Sequence, residues 1–298
     1  MRIATLLPAA TELVVALGAA ADLVAISHEC DFPVSVMHLP RLTCSPVDPA
    51  QSSARIEAEV RDLHATGRPV IAVDAAALAT LGPDLLITQV LCDVCAVADD
   101  EVMRLAAALP RAPRVVTLAG RDLDGVFADI RMLGALLGRE AEASNLLADA
   151  GARLAALQAT RPTRRPRLLA IEWTEPPYLS GHWVPDLIQH AGGIYVGARA
   201  GQHSRIVPWA EMRALAPDVI LVMLCGFGLA RAREELAGVA DPDALALLAG
   251  APVWLIDGNA YTSRPGPRLV GAAALIQHAL LERECDGVER WQAGVPVA

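Results

Sequence analysis

Two stretches of the chain repeat one another. Leu81-Gly82-Pro83-Asp84-Leu85-Leu86-Ile87 in the first half matches Leu215-Ala216-Pro217-Asp218-Val219-Ile220-Leu221 in the second. Each reads as a helix end, a Pro-Asp turn and a run of large apolar residues of strand length. A strand without polar alternation is buried on both faces, as in a parallel sheet. Strand-like and helical runs alternate along the whole chain, which is the pattern of an α/β fold. Upstream, Pro8 to Gly18 corresponds to Pro177 to Gly193: a strand end, a helix and a closing Gly. Between the halves, Leu123 to Thr160 is rich in Ala, Leu, Glu and Arg, with no Pro until Pro162. This predicts one long helix, with Gly138 as its kink point. The expected fold is therefore α/β, two Rossmann-like lobes with parallel sheets joined by a single long helix, with the ligand cleft between the lobes. The expected boundaries are 1–120 for the N-terminal lobe, 121–164 for the connecting helix and linker, and 165–298 for the C-terminal lobe. Arg161-Pro162-Thr163-Arg164-Arg165-Pro166 reads as the hinge-like link.

Composition narrows the function classes. A chain of 298 residues has room for two domains, each with its own core. With 54% apolar and 20% charged residues it is globular. No apolar run reaches the ~18 residues of a spanning helix, so no membrane insertion is expected. A net charge of −9 without a basic cluster argues against a nucleic-acid partner. All 25 basic residues are Arg, in which we read no mechanism. Met1-Arg2 leads straight into the strand-like Ile3 to Leu7, with no secretory leader pattern. The expectation is a cytoplasmic protein, or a periplasmic one if the true start lies upstream. Six Cys without disulfide-framework spacing fit the cytoplasm.

The richest local signal is Glu172-Trp173-Thr174-Glu175-Pro176-Pro177-Tyr178-Leu179-Ser180-Gly181-His182-Trp183-Val184-Pro185. It follows a strand-like run, Arg167 to Ile171, and precedes a helix-like run closed by Gly192-Gly193. Rigid aromatics and Pro grip a flat ligand at low entropic cost. The alternative is that these rings plug a core. Aromatic residues are lopsided: up to residue 165 only Phe32 and Phe127 occur, and nine lie beyond. Trp173, Tyr178, Trp183, Trp209, Phe227 and Tyr261 fall in or beside predicted loops, where α/β folds bind ligands. Pro177 stiffens that wall. Hydrogen bonders for a ligand rim are Gln89, Ser45, Ser180, Asn259 and the backbone of Ala9 and Ala10. Trp254, in the strand Val253 to Ile256, reads as core, and Trp291 as part of the C-terminal tail. Arg264 and Arg268, in Thr262 to Arg268, either bind an anionic ligand group or are solvated at the start of the last helix, with Ser263 as its cap.

Two α/β lobes joined by one long helix resemble the class III substrate-binding proteins of ABC importers, which carry vitamin B12, haem and ferric siderophores. The motifs are similar to the vitamin B12 branch. They are Leu6-Leu7-Pro8-Ala9-Ala10-Thr11-Glu12, Ser27-His28-Glu29-Cys30-Asp31-Phe32-Pro33, the Pro-Pro-aromatic-x-Ser-Gly loop at 176–181, and Val207-Pro208-Trp209. The segments Leu91 to Val97 and Leu224 to Phe227 resemble a subgroup without a signal peptide that is labelled cobalamin-binding. The resemblance implies non-catalytic binding of a corrinoid such as cobalamin, with haem or a siderophore as an alternative ligand. In the B12-binding relatives one surface Glu on each lobe pairs with Arg residues of the permease. Ala76 stands at the first of these positions and Glu211 near the second, so permease docking in the two-handed way is not expected.

The cysteines support a competing reading. Cys92-x-x-Cys95 follows a predicted strand, Cys30 and His28 lie on another first-lobe loop, and Cys44 follows in the next segment. Such a set is compatible with a soft metal ion, an Fe–S cluster or a redox dithiol, and equally with packed, reduced thiols. A neutral His, His182 first and His28 second, could ligate cobalt or haem iron axially, or simply be structural. No Gly-x-Gly-x-x-Gly, phosphate-binding loop or Gly-x-Ser-x-Gly elbow occurs, and no acid–base pair stands out by spacing, which disfavours an enzyme.

Overall fold

The computed structural model describes residues 1–90 and 99–292. The chain divides into two compact units. The first holds Met1–Gln51, Arg55–Gly120 and Asp124–Leu147; the second holds Ala148–Ala298 together with Ser52–Ala54 and Arg121–Leu123.

The first unit runs β1 (Ile3–Thr5), α1 (Pro8–Ala16), β2 (Leu23–Ala25), β3 (Thr43–Cys44), α2 (Ser53–Ala65, whose first two residues count with the second unit), β4 (Ala72–Val73), α3 (Ala75–Leu81), β5 (Leu85–Gln89), α4 (Asp99–Ala108), β6 (Arg114–Leu118) and α5 (Leu123–Leu137, whose first residue counts with the second unit). Its main sheet has the order β2-β1-β5-β6 with every pairing parallel. Every residue of β1 and β5 is buried, as the uninterrupted apolar runs require of strands covered on both faces. Beneath them Leu6, Leu42, Leu63, Leu78, Leu86 and Val102 form a core. Asp74 caps α3 by accepting the Ala77 N–H, and Gly82 ends it in the left-handed conformation. β3 and β4 form a separate antiparallel pair.

The stretch expected as one helix over 123–160 is two, α5 and α6 (Glu140–Ala159). The break is a Schellman turn: Gly138 sits at φ 63, its N–H reaches Ala135 O, and Arg139 N–H reaches Gly134 O. Gly134 has room for no side chain there, because a Cβ would meet Ala143. The boundary between the units falls inside α6, after Leu147.

The second unit continues with β7 (Arg167–Thr174), β8 (Pro177–Leu179), α7 (Val184–Ala191), β9 (Ile194–Tyr195), β10 (Arg205–Ile206), α8 (Trp209–Ala214), β11 (Val219–Val222), α9 (Leu229–Ala237), α10 (Pro242–Gly250), β12 (Val253–Ile256), α11 (Leu269–Leu280) and β13 (Val288–Trp291). Its sheet, β10-β8-β7-β11-β12-β13 with β9 beside the start of β7, is parallel only at its centre. β8, β10 and β13 are antiparallel, so the expectation of a parallel sheet holds for the first unit and must be corrected for the second. Trp254 is core, 2% exposed. Trp291, read as tail, instead ends the edge strand β13, opposite Val253.

The sequence repeat is a repeat of hydrogen bonds. Asp84 accepts the N–H of Arg2 at 2.9 Å, and Asp218 accepts the N–H of Arg167 at 2.8 Å. Each Arg sends its guanidinium back to the carbonyls ending the preceding helix, Leu81 in one unit, Leu215 and Ala216 in the other. A second Arg, 111 or 164, completes each clamp at 3.1 Å from the carboxylate. The Asp therefore ties the helix exit to the start of the next strand.

Candidate ligand-binding site

β7, β11 and β12 run in one direction, so the chain segments leaving them share the C-terminal edge of the sheet, where α/β folds place ligands. After Thr174 the sequence Glu175-Pro176-Pro177 turns the chain back as β8, so the expected aromatic loop is a hairpin. Trp173 lies opposite Tyr178, and Thr174 opposite Pro177. The Trp173 ring is 5.2 Å from that of Phe227, inclined at 49°, and its Nε1 donates to Glu175 O. The Arg231 guanidinium stacks 4.8 Å above Phe227. Beyond β12, Asp257 caps a π-helical turn, Gly258–Thr262, by accepting the Ala260 N–H. Gly258 is required there, since a Cβ would strike the Leu224 carbonyl. Asn259 donates its N–H to Phe227 O and accepts from the buried Arg264 at 2.8 Å.

Beside the hairpin lies a cavity of about 590 Å³. Trp209, Pro177, Thr174, Glu175, Ser53, Glu234 and Glu235 line it, with the 238–241 turn, and all of this lining belongs to the second unit. Val207 N–H donates to Pro177 O, which fixes Trp209, at the start of α8, against the hairpin. Ser53 Oγ bonds Glu235 and Thr174, each at 2.8 Å, and the Ser53 N–H also faces Glu235. Arg231 pairs with Glu235 at 3.3 Å. The cavity thus joins an aromatic wall to a hydrogen-bonded polar floor. Sequence reasoning missed Ser53, Thr174 and Glu235; Ser53 and Glu235 stand 182 positions apart, and nothing in their local sequence pairs them.

Ser180, His182 and Trp183 sit elsewhere. Ser180 N–H donates to Ala170 O, four residues short of the end of β7, which places it about 13 Å back along the strand. Its carbonyl accepts from the Tyr195 hydroxyl at 2.6 Å; burial raises the pKa of that phenol and keeps it protonated. His182 adopts φ 52, donates its N–H to Gln202 O, and packs edge-on against His203 at 5.2 Å. Its Nδ1 is buried without a partner, and its pKa is lowered to about 4, first by burial and then by His203 and Arg121. The imidazole is neutral at pH 7, yet lies against the 197–204 loop and outside the cavity lining. Trp183, 6% exposed, donates Nε1 to Thr262 O at 2.8 Å. Tyr261 is half-buried beside Gly271 and Gly287.

In the first unit, Ala9 and Ala10 are buried in the first turn of α1, and Gln89 ends β5 at 8% exposure. Ser45 donates to Val70 O, holding its own loop. Cys30 and His28 have separate partners: Cys30 Sγ meets Thr11 Oγ1 at 3.1 Å, and His28 Nδ1 meets Thr43 Oγ1 at 2.7 Å. Burial, then Arg41, lowers the pKa of His28. Cys44 is exposed on β3. Cys92 and Cys95 lie outside the described residues. Among the described residues, no group of three or more His, Cys, Asp or Glu is arranged to hold a metal ion. The metal-binding expectation thus has no support from the described residues.

A family model described as "Periplasmic binding protein" matches residues 3–248. Among solved structures, the periplasmic haem-binding protein HutB of Vibrio cholerae is similar at 24% identity and a TM-score of 0.68, covering 94% of this chain and 98% of its own. The periplasmic vitamin B12-binding protein BtuF of Vibrio cholerae gives 20% identity, a TM-score of 0.65, and coverage of 94% and 96%. A possible iron-binding (periplasmic solute-binding) protein of Staphylococcus epidermidis gives 16%, 0.67, and 94% and 98%. No curated protein matches the chain.

Proposed function

The chain belongs to the periplasmic binding protein family, and from that premise we propose that it binds a corrinoid, without catalysis, at the C-terminal edge of its second unit. The observation that carries this is the cavity of about 590 Å³ walled by Trp209 and Pro177 and floored by hydrogen-bonded hydroxyl and carboxylate groups. Its volume falls within the range of small-molecule sites, which combine apolar walls with a few placed polar groups. A corrin needs just these: flat contact for its faces and hydrogen bonders for its amide fringe. Trp173, Phe227 and Tyr178 stand outside this lining and are proposed as a separate aromatic contact surface on the hairpin. Tyr261, Arg264 and Asn259, in the segment after β12, stand outside the cavity lining and are not proposed as contacts.

Haem is the second reading, because a haem-binding protein of Vibrio cholerae shares this fold over 94% of the chain. His182 and Trp183 are not proposed as contacts, given their positions away from the cavity. The family's description favours the periplasm over the cytoplasmic location expected above. Permease docking then relies on Glu211, exposed on α8, while the exposed Ala76 of α3 offers no carboxylate.

Titration with cobalamin, cobinamide and hemin, followed by absorbance and Trp fluorescence, tests the proposal. The expected outcome is saturable quenching by a corrinoid. Trp209→Ala should weaken binding by about 1–3 kcal/mol, the usual range for an aromatic anchor. Unchanged corrinoid affinity in Trp209→Ala would place the ligand elsewhere.

A further inference from the structure

We propose that the cavity beside Trp209 sorts flat macrocycles by the charge of their rim, accepting a neutral or cationic, donor-bearing rim and excluding carboxylates. The proposal rests on the reading of this cavity as the ligand site. Four carboxylates line it, Glu175, Glu234, Glu235 and Asp241, and no Arg, Lys or His does. Two are already engaged. Glu235 accepts from Ser53 and Arg231, and Asp241 accepts the Asp243 and Ala244 N–H groups that open α10. Glu175 and Glu234 are exposed, so their charges act on whatever enters. Arg231, beside Glu235, is committed to that carboxylate and to the face of Phe227. The whole chain adds a net charge of −9 in the same sense.

An ionised carboxylate only accepts hydrogen bonds, so this lining is matched by donors such as the primary amides of a corrin fringe. A porphyrin bearing two ionised propionates would bring like charges together, which disfavours association. The same physics applies whichever metal the macrocycle carries.

The test is a matched pair: hemin and its dimethyl ester, titrated into the full-length protein at low and high salt. These share one disc and one iron and differ in the charge of the rim. The ester should bind on the order of tenfold more tightly at low salt, with the gap closing as salt screens the carboxylates. A Glu175→Gln/Glu234→Gln variant should narrow the same gap at low salt. Hemin binding as tightly as its ester, or a gap indifferent to both salt and the double substitution, overturns the charge selection while leaving the site reading intact. If neither haem nor cobinamide binds, the site reading itself falls, and this proposal with it.

Discussion

The two units begin their first strands alike and leave them differently. In both, the Asp of a Pro-Asp turn grips the N–H of an Arg at the strand start, and that Arg caps the helix before the turn. At the other end, β1 passes through Leu6-Leu7 into α1, with Pro8 at the first helical position. β7 instead meets Glu175-Pro176-Pro177 and folds back as β8, which recruits β10 to the edge of the sheet. One edge of the sheet is built from a shared hydrogen-bonded device, and the other is where the units diverge. That division matches the general placement of stability and ligand chemistry in α/β folds: the N-terminal edge holds the strands, and the C-terminal edge carries the site.

The strongest way to break this comparison lies within the second unit itself. Trp183→Ala removes a ring that is 6% exposed and orphans the Thr262 carbonyl. It should cost about 3–5 kcal/mol of unfolding free energy, measured by chemical denaturation. Trp209 is 7% exposed, so Trp209→Ala should also cost stability, and should weaken ligand binding in addition. A folded Trp183→Ala that loses as much ligand affinity as Trp209→Ala would mean that the hairpin wall and the core are not separate.

A smaller effect tests the clamps. Asp218→Ala should destabilise by about 1–2 kcal/mol, because the Arg167 N–H and the Arg164 guanidinium lose their acceptor. Asp84→Ala should destabilise in the same direction through Arg2. The Asp84 carboxyl is held below its ordinary pKa of 3.8, first by the Arg2 N–H. Its contribution is complete above pH 3.8 and is lost as pH falls through the lower folded-state value. The stability difference between parent and Asp84→Ala should therefore shrink only in acid below 3.8. A difference that persists there would mean that the clamp does not depend on the charge.

A further effect, confined to acid, concerns His182. Its pKa is about 4 when folded against 6.5 ordinarily, so between those values the unfolded chain binds more protons. Stability should fall as pH drops from 6.5 toward 4, and His182→Asn should remove that part of the profile. Asn suits the left-handed backbone at φ 52. An unchanged profile in the variant would show that other groups carry the acid sensitivity.

Local sequence was enough for features whose physics is local. The Pro-Asp turns, the buried runs Leu85–Gln89 and Val219–Val222, and Trp254 in its strand all follow from turn chemistry and apolar patterning. The helix over 123–160 was legible with its weak point at Gly138; that the weak point is a full break, with Gly134 packed close to Ala143, was not. The hairpin was not legible: β8 is three residues long, too short for a pattern, and its pairing depends on a partner strand already in place. Nor could sequence separate Trp183 from Trp209, since one stands two residues before Pro185 and the other just after Pro208, both in stretches that read as loops. Tertiary structure decides, by bringing the Thr262 carbonyl from 79 positions away to one indole and leaving the other beside a cavity. The same holds for Ser53 and Glu235, 182 positions apart. Spacing encodes turns and buried strands because their energies depend on neighbours in the chain. A cavity depends on neighbours in space, which only the folded chain supplies.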